Sequence, residues 1–374
     1  MIESLKISNY RSLGEDVHIR FGKLTALVGP NSSGKSNIMD CLRFLSDIMH
    51  IGLSGALNER QGIAAVRRLS LGHPFNVVIE VSVVFHHGSA KYSFELKGER
   101  RGEYRVKSEA ADVLIGNERH TYLIENGKWE AGPAGLRPAV DELSLALPVV
   151  GGDTRFQPLG EALRNLVVYS IYPDTLKKPQ KYNPQKLLNR FGDNWTSILK
   201  NQTKENWKSD LKEGLNRLTG DIDDIRVLSA AGFLVAEFLH KSEKRDAWFE
   251  AGRESDGTLR FAGILTALLQ QPPLPVIGIE EPELTIHPGV LPLLFDYLKQ
   301  AARQSQVIIT THSPELLDLV DPEDVRIVER KNGSTGVAEM PADKMETVRK
   351  GLLSLGELLK AGELQVELPL PTAE

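Results

Sequence analysis

The segment Gly29–Ser36 constrains the fold more than any other stretch of this chain. Its sequence, Gly-Pro-Asn-Ser-Ser-Gly-Lys-Ser, fits the pattern G-x-x-x-x-G-K-[ST] of a phosphate-binding loop (P-loop). Residues Lys23–Val28 before it are mostly apolar and contain no chain breaker, which predicts a short buried strand. Residues Asn37–Leu45 after it have apolar side chains at helical spacing. Strand, glycine-rich loop and helix in this order predict an α/β fold with an anion site.

The residue types in this loop suit a phosphate group. Gly29 and Gly34 allow the backbone angles and the close approach that a Cβ would prevent. Successive backbone N–H groups and the N-terminus of the helix then face the anion. Lys35 supplies a positive charge to the terminal phosphates, and the Ser36 hydroxyl can ligate Mg²⁺. We therefore predict ATP and Mg²⁺ as cofactors, with nucleotide contacts from Asn31, Ser32, Ser33, Gly34, Lys35, Ser36 and Asn37.

Composition limits the classes of protein to which this chain can belong. The 374 residues carry a net charge of −5, so no global positive charge points to nucleic acid. A single cysteine, Cys41, excludes an internal disulfide framework and suits a reducing compartment. No apolar run approaches the roughly 20 residues that a membrane span needs, and no signal segment opens the chain. We expect a cytoplasmic protein without a membrane partner.

Two further strands end in polar residues. The apolar run Leu274–Ile279 leads into Glu280 and Glu281, and the run Gln306–Thr311 leads into His312. A buried strand that ends in two carboxylates is the Walker B arrangement, which delivers acids to the carboxyl edge of a parallel sheet, where a P-loop also opens. Alternatively, two acids can merely end a strand, and a lone histidine is more often structural.

The rest of the chain alternates between strand and helix patterns. Residues 2–7 predict an edge strand, and residues 17–21 predict a second strand. Short strands with glycine-bearing turns between residues 77 and 124 predict an antiparallel meander. Further predictions are a strand at 165–172, helices over 184–218, strands within 222–250, a helix over 259–269, a strand at 324–330 and a helix around 347–360.

These motifs, in this order, resemble those of ABC-type ATPases of the OLD/RecF-like group (OLD, overcoming lysogenization defect), a type named AAA family ATPase. The resemblance covers Ile2–Leu13, Gly29–Ser36, Ser255–Gly257, Glu280–His287 and His312. It implies a P-loop NTPase fold with a mixed sheet core, an antiparallel β subdomain and a helical insertion. The implied segments are 1–172 and 222–340 for the two halves of the core, 173–221 for the helical lobe and 341–374 for a C-terminal helix and tail.

The resemblance also implies roles for single residues. Glu281 matches the general base, Glu280 matches the acid that holds Mg²⁺, and His312 matches the switch histidine at the γ-phosphate. Glu280 departs from the Asp usual at its position, which leaves the inner-shell metal geometry open. The catalytic set is thus Glu281, His312 and Lys35; the metal set is Ser36, Glu280 and Gln180; and further nucleotide contacts are Arg11, Ser255, Gly257 and His287.

Four of these residues also have simpler interpretations. Arg11 can be a solvated arginine in a turn, and Gln180 can be a surface glutamine between lysines. Ser255 begins a Ser-Asp-Gly run that is also an ordinary helix N-cap. His287 stands where transport ATPases carry Asp, and it can instead be a histidine of a packed turn.

The resemblance implies nucleotide-gated dimerisation that controls a separate effector protein, in DNA repair or antiviral defence. A nucleotide-dependent scaffold with little turnover is the alternative, and a transport ATPase is disfavoured by the shortened Ser255–Gly257 motif. OLD-like nucleases carry a metal-binding TOPRIM domain after the ATPase; we expect none here, because the residues printed after Arg330 are fewer than a small domain needs. A DNA or RNA contact stays open, with the lysines of residues 177–186 as its best local position.

Overall fold

The computed structural model describes residues 1–69, 73–98, 102–201 and 207–364. The strands are β1 Ile2–Ser8, β2 Val17–Arg20, β3 Leu24–Val28, β4 Val77–Phe85, β5 Gly88–Gly98, β6 Tyr104–Ile115, β7 Glu118–Glu125, β8 Lys128–Ala131, β9 Leu166–Tyr169, β10 Gln180–Lys181, β11 Ile222–Ala230, β12 Phe233–His240, β13 Ala247–Glu250, β14 Val276–Glu280, β15 Gln306–Thr311, β16 Val325–Lys331 and β17 Ser334–Glu339. The helices are α1 Lys35–Asn58, α2 Ile63–Val66, α3 Leu147–Val150, α4 Gln157–Arg164, α5 Pro173–Lys177, α6 Trp195–Asn201, α7 Trp207–Thr219, α8 Asp256–Leu269, α9 Leu291–Ala301, α10 Pro314–Leu317, α11 Ala342–Arg349 and α12 Leu355–Lys360.

These elements form two compact units. The first comprises Met1–Val167 and Asp321–Glu374, and the second comprises Val168–Val320. This division is coarser than the four predicted segments, which remain a prediction.

The first unit contains the antiparallel sheet and the P-loop strand. Seven strands pair in the order β2-β1-β4-β5-β6-β7-β8, and every neighbouring pair is antiparallel, which confirms the predicted meander. Strand β3 pairs in parallel with β16, and β16 pairs antiparallel with β17. Alternate residues of β4 and β5 are buried because one face of the sheet covers the core. The aromatic rings of Phe44 in α1 and Phe94 in β5 meet in that core at 6.4 Å.

The second unit contains a parallel strand pair, a small antiparallel sheet and helices. Strands β14 and β15 are parallel and in register from Val276↔Gln306 to Glu280↔Thr310. Strand β12 pairs with β10, β11 and β13. The Trp195 ring stacks on Phe238 of β12 at 6.3 Å, and its Nε1 donates to Thr266 Oγ1 at 2.9 Å. The helical lobe is therefore tied both to the small sheet and to α8.

Three predicted elements differ in the structure. Strand β1 is not an edge strand, because β4 pairs with its other side. Residues 184–194 are not helical: Asn194 donates to the Leu187 carbonyl and accepts from the Asn189 N–H, and these side-chain bonds replace helical ones. The single helix predicted around 347–360 is two helices, α11 and α12, separated at Gly351, whose φ is +67°.

No helix among the described residues is long and apolar enough to cross a membrane.

Candidate functional site: a P-loop and a carboxylate cluster

The P-loop joins buried strand β3 to helix α1, and its glycines are required by their surroundings. A Cβ on Gly29 would lie 2.1 Å from the Val328 carbonyl oxygen of β16. Gly34 has φ +113°, and a Cβ there would lie 2.4 Å from the Thr335 hydroxyl. Helix α1 begins directly after Gly34 without a side-chain cap and without an acid in its first turn. A helix N-terminus of this kind, where the positive end of the helix dipole lies, favours a bound anion.

Lys35 and Ser36 begin α1. Lys35 is only 5% exposed, and its Nζ donates to the carbonyls of Gly29 at 2.7 Å and Pro30 at 3.0 Å. The ammonium group of Lys35 therefore lies against the backbone of the P-loop. Ser36 is exposed, as are Asn31 and Ser32 on the loop, so their polar groups are accessible to a ligand. These features fit the phosphates of ATP, and the Ser36 hydroxyl fits a Mg²⁺ ligand.

A hydrogen-bonded chain of side chains supports the loop from β17. Thr335 Oγ1 donates to the Ser33 carbonyl at 2.7 Å and lies 2.8 Å from Ser12 Oγ. Asn37 Nδ2 donates to the same Ser12 Oγ at 2.6 Å. Asn37, a predicted nucleotide contact, is thus engaged in holding the loop. Thr335 is a supporting residue that the sequence analysis missed.

Arg11 is held by α1. Its Nη2 lies 2.9 Å from Asp40 Oδ2, and Asp40 also accepts from Tyr10 Oη at 2.7 Å and from Arg60 Nε at 3.2 Å. Arg11 has a left-handed backbone, with φ +52°. The guanidinium therefore belongs to a largely buried ion network one helical turn beyond Ser36. Its role at the nucleotide remains a prediction.

In the second unit, the predicted acids and the switch histidine lie at the ends of two neighbouring strands. Strands β14 and β15 run in parallel, so their carboxyl ends share one edge. The Glu281 carboxylate lies 3.4 Å from His312 Nδ1. Ser170 Oγ donates to Glu280 Oε2 at 2.5 Å. We name Glu280, Glu281 and His312 the carboxylate cluster. Its Glu281–His312 pair could activate a water, but no group of three or more His, Cys, Asp and Glu side chains among the described residues is placed to hold a metal ion by itself.

A third acid, which the sequence analysis did not single out, supports this cluster. Glu283 is buried, and its Oε1 accepts from Thr311 Oγ1 at 2.6 Å and from the His312 N–H at 3.4 Å. Burial raises the pKa of Glu283, and the hydrogen bonds from Thr311 and His312 only partly offset this. Its place in the run Glu280-Glu281-Pro282-Glu283 was a signal that could have identified it.

Gln180 does not lie at a surface, and its amide is fully engaged. It is 6% exposed; Nε2 donates to the carbonyls of Gly192 and Thr175, while Oε1 accepts from the N–H and the hydroxyl of Thr196. A metal would have to displace two hydrogen bonds at Oε1. The geometry therefore disfavours the predicted Mg²⁺ role, and Ser170 is the polar group that directly follows β9 and contacts Glu280.

Ser255 and Gly257 begin α8. Ser255 Oγ accepts from the Thr258 N–H at 3.1 Å, which is the N-cap alternative. A Cβ on Gly257 would lie 2.8 Å from the Thr285 carbonyl oxygen. His287 caps a short turn in the same way, since its Nδ1 accepts from the Gly289 N–H at 3.1 Å. Both Ser255 and His287 are exposed, and their nucleotide contacts remain predictions.

Among the lysines of residues 177–186, Lys177 forms ion pairs within the protein. Lys177 Nζ lies 2.5 Å from Asp256 Oδ1 and 3.9 Å from Asp174 Oδ1. This pairing ties α5 to the start of α8 and leaves Lys177 a poorer phosphate contact. A nucleic-acid contact at this loop stays a prediction.

The chain shows similarity to known proteins along most of its length. The protein family described as "AAA domain, putative AbiEii toxin, Type IV TA system" matches residues 24–318. The chain belongs to this family. The match to this AAA family extends from β3 to the end of α10, and so includes the P-loop, the carboxylate cluster and the start of α8.

Two curated proteins are similar to this chain over different shares of its length. The OLD nuclease of Thermus scotoductus is 24% identical over 356 residues, which is 88% of this chain and 62% of that protein. The Chromosome partition protein Smc of Mycobacterium leprae is 28% identical over 148 residues, which is 34% of this chain and 12% of that protein. The chain therefore spans less than two thirds of the length of either relative.

Two solved structures establish the fold of this AAA family member. The Smc head domain of Pyrococcus furiosus with an extended coiled coil, bound to the C-terminal domain of ScpA, superposes with a TM-score of 0.56 at 14% identity, covering 94% of this chain and 99% of that one. The SmcHead bound to the C-winged helix domain of ScpA gives 0.54 at 17% identity, covering 92% and 99%. The predicted OLD/RecF-like ABC-type ATPase fold is confirmed.

A histidine latch adjoins the start of α8. His240 Nδ1 lies 2.8 Å from Asp221 Oδ2, and Nε2 lies 2.9 Å from Glu254 Oε1, immediately before Ser255. Ionised carboxylates only accept, so both ring nitrogens must donate and the ring must carry a charge. Burial opposes this, but the hydrogen bonds and charges of Asp221 and Glu254 outweigh it and raise the pKa of His240 above 6.5.

The latch should make stability depend on pH. Because the pKa of His240 is raised on folding, its stabilisation is complete below about pH 6.5 and is lost as pH rises through the raised value. We expect His240→Gln to lower the free energy of unfolding by roughly 1–3 kcal/mol at pH 6, and by less at pH 9. Urea unfolding between pH 6 and pH 9 measures this difference in stability, with His18→Gln, at an exposed position of β2, as the control. If His240→Gln lost the same unfolding free energy at pH 6 and at pH 9, the charge on His240 would not contribute to stability, which would contradict the latch.

Proposed function

We propose that this chain binds ATP with Mg²⁺ and hydrolyses it as a nucleotide-controlled switch. The observation that carries the proposal is the distance of 3.4 Å between the Glu281 carboxylate and His312 Nδ1. Both residues follow the ends of the parallel strands β14 and β15, directly after Glu280 and Thr311, and the same chain has an accessible P-loop. Carboxylate and imidazole side chains are the usual groups that move protons near pH 7.

Each group has a chemical role in this proposal. Lys35 and the N–H groups of the loop neutralise and orient the phosphates, and Glu281 accepts a proton from the attacking water. His312 donates a hydrogen bond to the γ-phosphate. Ser36 and Glu280 would hold Mg²⁺, which when bound neutralises charge on the phosphate oxygens.

The switch acts through a second copy of the chain. In this proposal the Ser255–Gly257 start of α8 contacts the γ-phosphate held by the P-loop of the other protomer, so ATP stabilises a dimer and hydrolysis releases it. Exposure of Ser255 at a helix N-terminus supports such an anion contact. We further propose that the dimer controls a separate effector protein in DNA-linked work such as antiviral defence or repair.

A mixing experiment tests hydrolysis and dimerisation together. The parent chain should hydrolyse ATP, whereas Lys35→Ala and Ser255→Arg should each be inactive alone. An equimolar mixture should recover toward about a quarter of the parent rate, because half of randomly paired dimers are mixed and each mixed dimer keeps one of two composite sites. The measurement is steady-state phosphate release with Mg²⁺, with and without DNA.

Two outcomes would count against the proposal. A parent chain that binds ATP but never releases phosphate acts instead as a nucleotide-dependent scaffold. A mixture without recovery, from variants that fold and dimerise, places hydrolysis within a single subunit.

A further inference from the structure

Arg260, on helix α8, is a buried cation in contact with the turn that carries the predicted base. It lies five residues after Ser255 and is 3% exposed. Its Nη2 donates to the Glu280 carbonyl at 2.9 Å and to the Glu281 carbonyl at 3.0 Å. One guanidinium nitrogen therefore fixes the two consecutive carbonyls at the end of β14.

The backbone held by Arg260 has an unfavourable conformation. Glu281 has φ +45°, in the left-handed region that a residue with a Cβ rarely adopts. Such a conformation costs on the order of 1–3 kcal/mol and persists only where the surroundings impose it. The Glu281 N–H donates to the Thr310 carbonyl at 3.1 Å, so Arg260 and Thr310 together fix both peptide groups of Glu281.

This conformation determines where the Glu281 carboxylate points. Its side chain projects from the turn and meets His312 Nδ1 at 3.4 Å. A rotation of either peptide group would move the carboxylate away from that position. The main-chain contacts of Arg260 thus act on the side chain of Glu281 without touching it.

Arg260 is costly to bury, so a role only in packing is a weak explanation. Burial lowers the pKa of Arg260, and neighbouring Tyr172, Glu283, Glu281 and Glu280 oppose that shift. Its Nε is buried without a hydrogen-bond partner, and its guanidinium lies 5.6 Å from the Tyr172 ring centroid. An apolar side chain would fill this space at lower electrostatic cost.

We propose that Arg260 is a positioning residue that holds the Glu281 turn in its hydrolytic conformation and links that turn to the start of α8. Through it, a contact made at Ser255 reaches the base along one rigid helix. The inference rests on the proposed ATPase function and adds the means by which binding at the start of α8 regulates hydrolysis.

The test compares Arg260→Lys with a matched variant, Arg326→Lys. Arg326 is also buried and also donates to main-chain carbonyls, those of Arg20, Glu323 and Val325, but in the first unit. We expect Arg260→Lys to lower kcat by about 10²-fold, a loss that a displacement of about 1 Å can cause, with the Kd for ATP changed less than about threefold. Arg326→Lys should lower the melting temperature while keeping kcat.

A double variant separates positioning from stability. If Arg260 acts through Glu281, then Arg260→Lys/Glu281→Gln should be no slower than Glu281→Gln alone, since the base it positions is already absent. The inference would be overturned if the double variant lost the product of the two single-variant losses in kcat. It would also be overturned by an unchanged kcat in a folded Arg260→Lys. If Glu281→Gln itself hydrolyses at the parent rate, the proposed function fails first and this inference fails with it.

Discussion

Replacing Glu281 with glutamine is expected to leave ATP binding intact and to slow hydrolysis by roughly 10²–10⁴-fold, the usual contribution of a general base. Glutamine keeps the size and the hydrogen-bonding reach of the side chain but cannot take a proton from water. Neither the φ +45° backbone nor the Arg260 contacts involve the carboxylate, so the turn should keep its conformation. Single-turnover phosphate release with saturating ATP measures the chemical step.

The same variant should reveal the ATP-bound dimer. With hydrolysis slowed, the nucleotide stays intact and the dimer should accumulate on a sizing column in the presence of ATP and Mg²⁺. Glu243→Gln, at an exposed loop between β12 and β13, is the matched acid-to-amide control and should behave as the parent does. Hydrolysis at the parent rate in Glu281→Gln would exclude Glu281 as the base and make Glu280 the next candidate.

The elements that position these groups could be predicted because their signals are local. Strands β3 and β15 are buried along their whole length, so they appear in the sequence as short runs of mostly apolar, uncharged residues. Glu281 and His312 directly follow β14 and β15, and Lys35 belongs to the glycine-rich motif after β3, which is why these three residues were found. The parallel pairing of β14 and β15 then brings Glu281 and His312 to one edge.

The missed residues depend on contacts that are distant in sequence. Strand β17 has small and polar residues with little alternation, so nothing predicted that Thr335 would pack against Gly34, some 300 residues earlier. Arg260 is the charged residue in the otherwise mostly apolar run Leu259–Leu269 of α8, which gives no sign of its partners. Its carbonyl partners, at Glu280 and Glu281, are defined only by the packing of α8 in the second unit.

Gln180 shows the opposite difficulty, in which a local position suggested a metal-binding role that tertiary hydrogen bonds disfavour. Its place after β9 and α5 resembles that of a metal-sensing glutamine, but Thr196 at the start of α6 saturates its oxygen. Side-chain amides in loops are often used to hold the loop itself. For such a residue, sequence order alone cannot distinguish a ligand from a structural bond.

Lys35→Ala is expected to weaken the free energy of ATP binding by roughly 2–5 kcal/mol, which raises the Kd about 30- to 5,000-fold. The variant removes the cation that meets the β- and γ-phosphates, and it also leaves the Gly29 and Pro30 carbonyls without their donor from Nζ. Calorimetric titration with ATP and Mg²⁺ measures the loss, and thermal unfolding shows whether α1 remains folded. Lys23→Ala, at an exposed position just before β3, removes the same charge and should bind ATP as the parent does. Parent-like affinity in a folded Lys35→Ala would refute the P-loop as the nucleotide site.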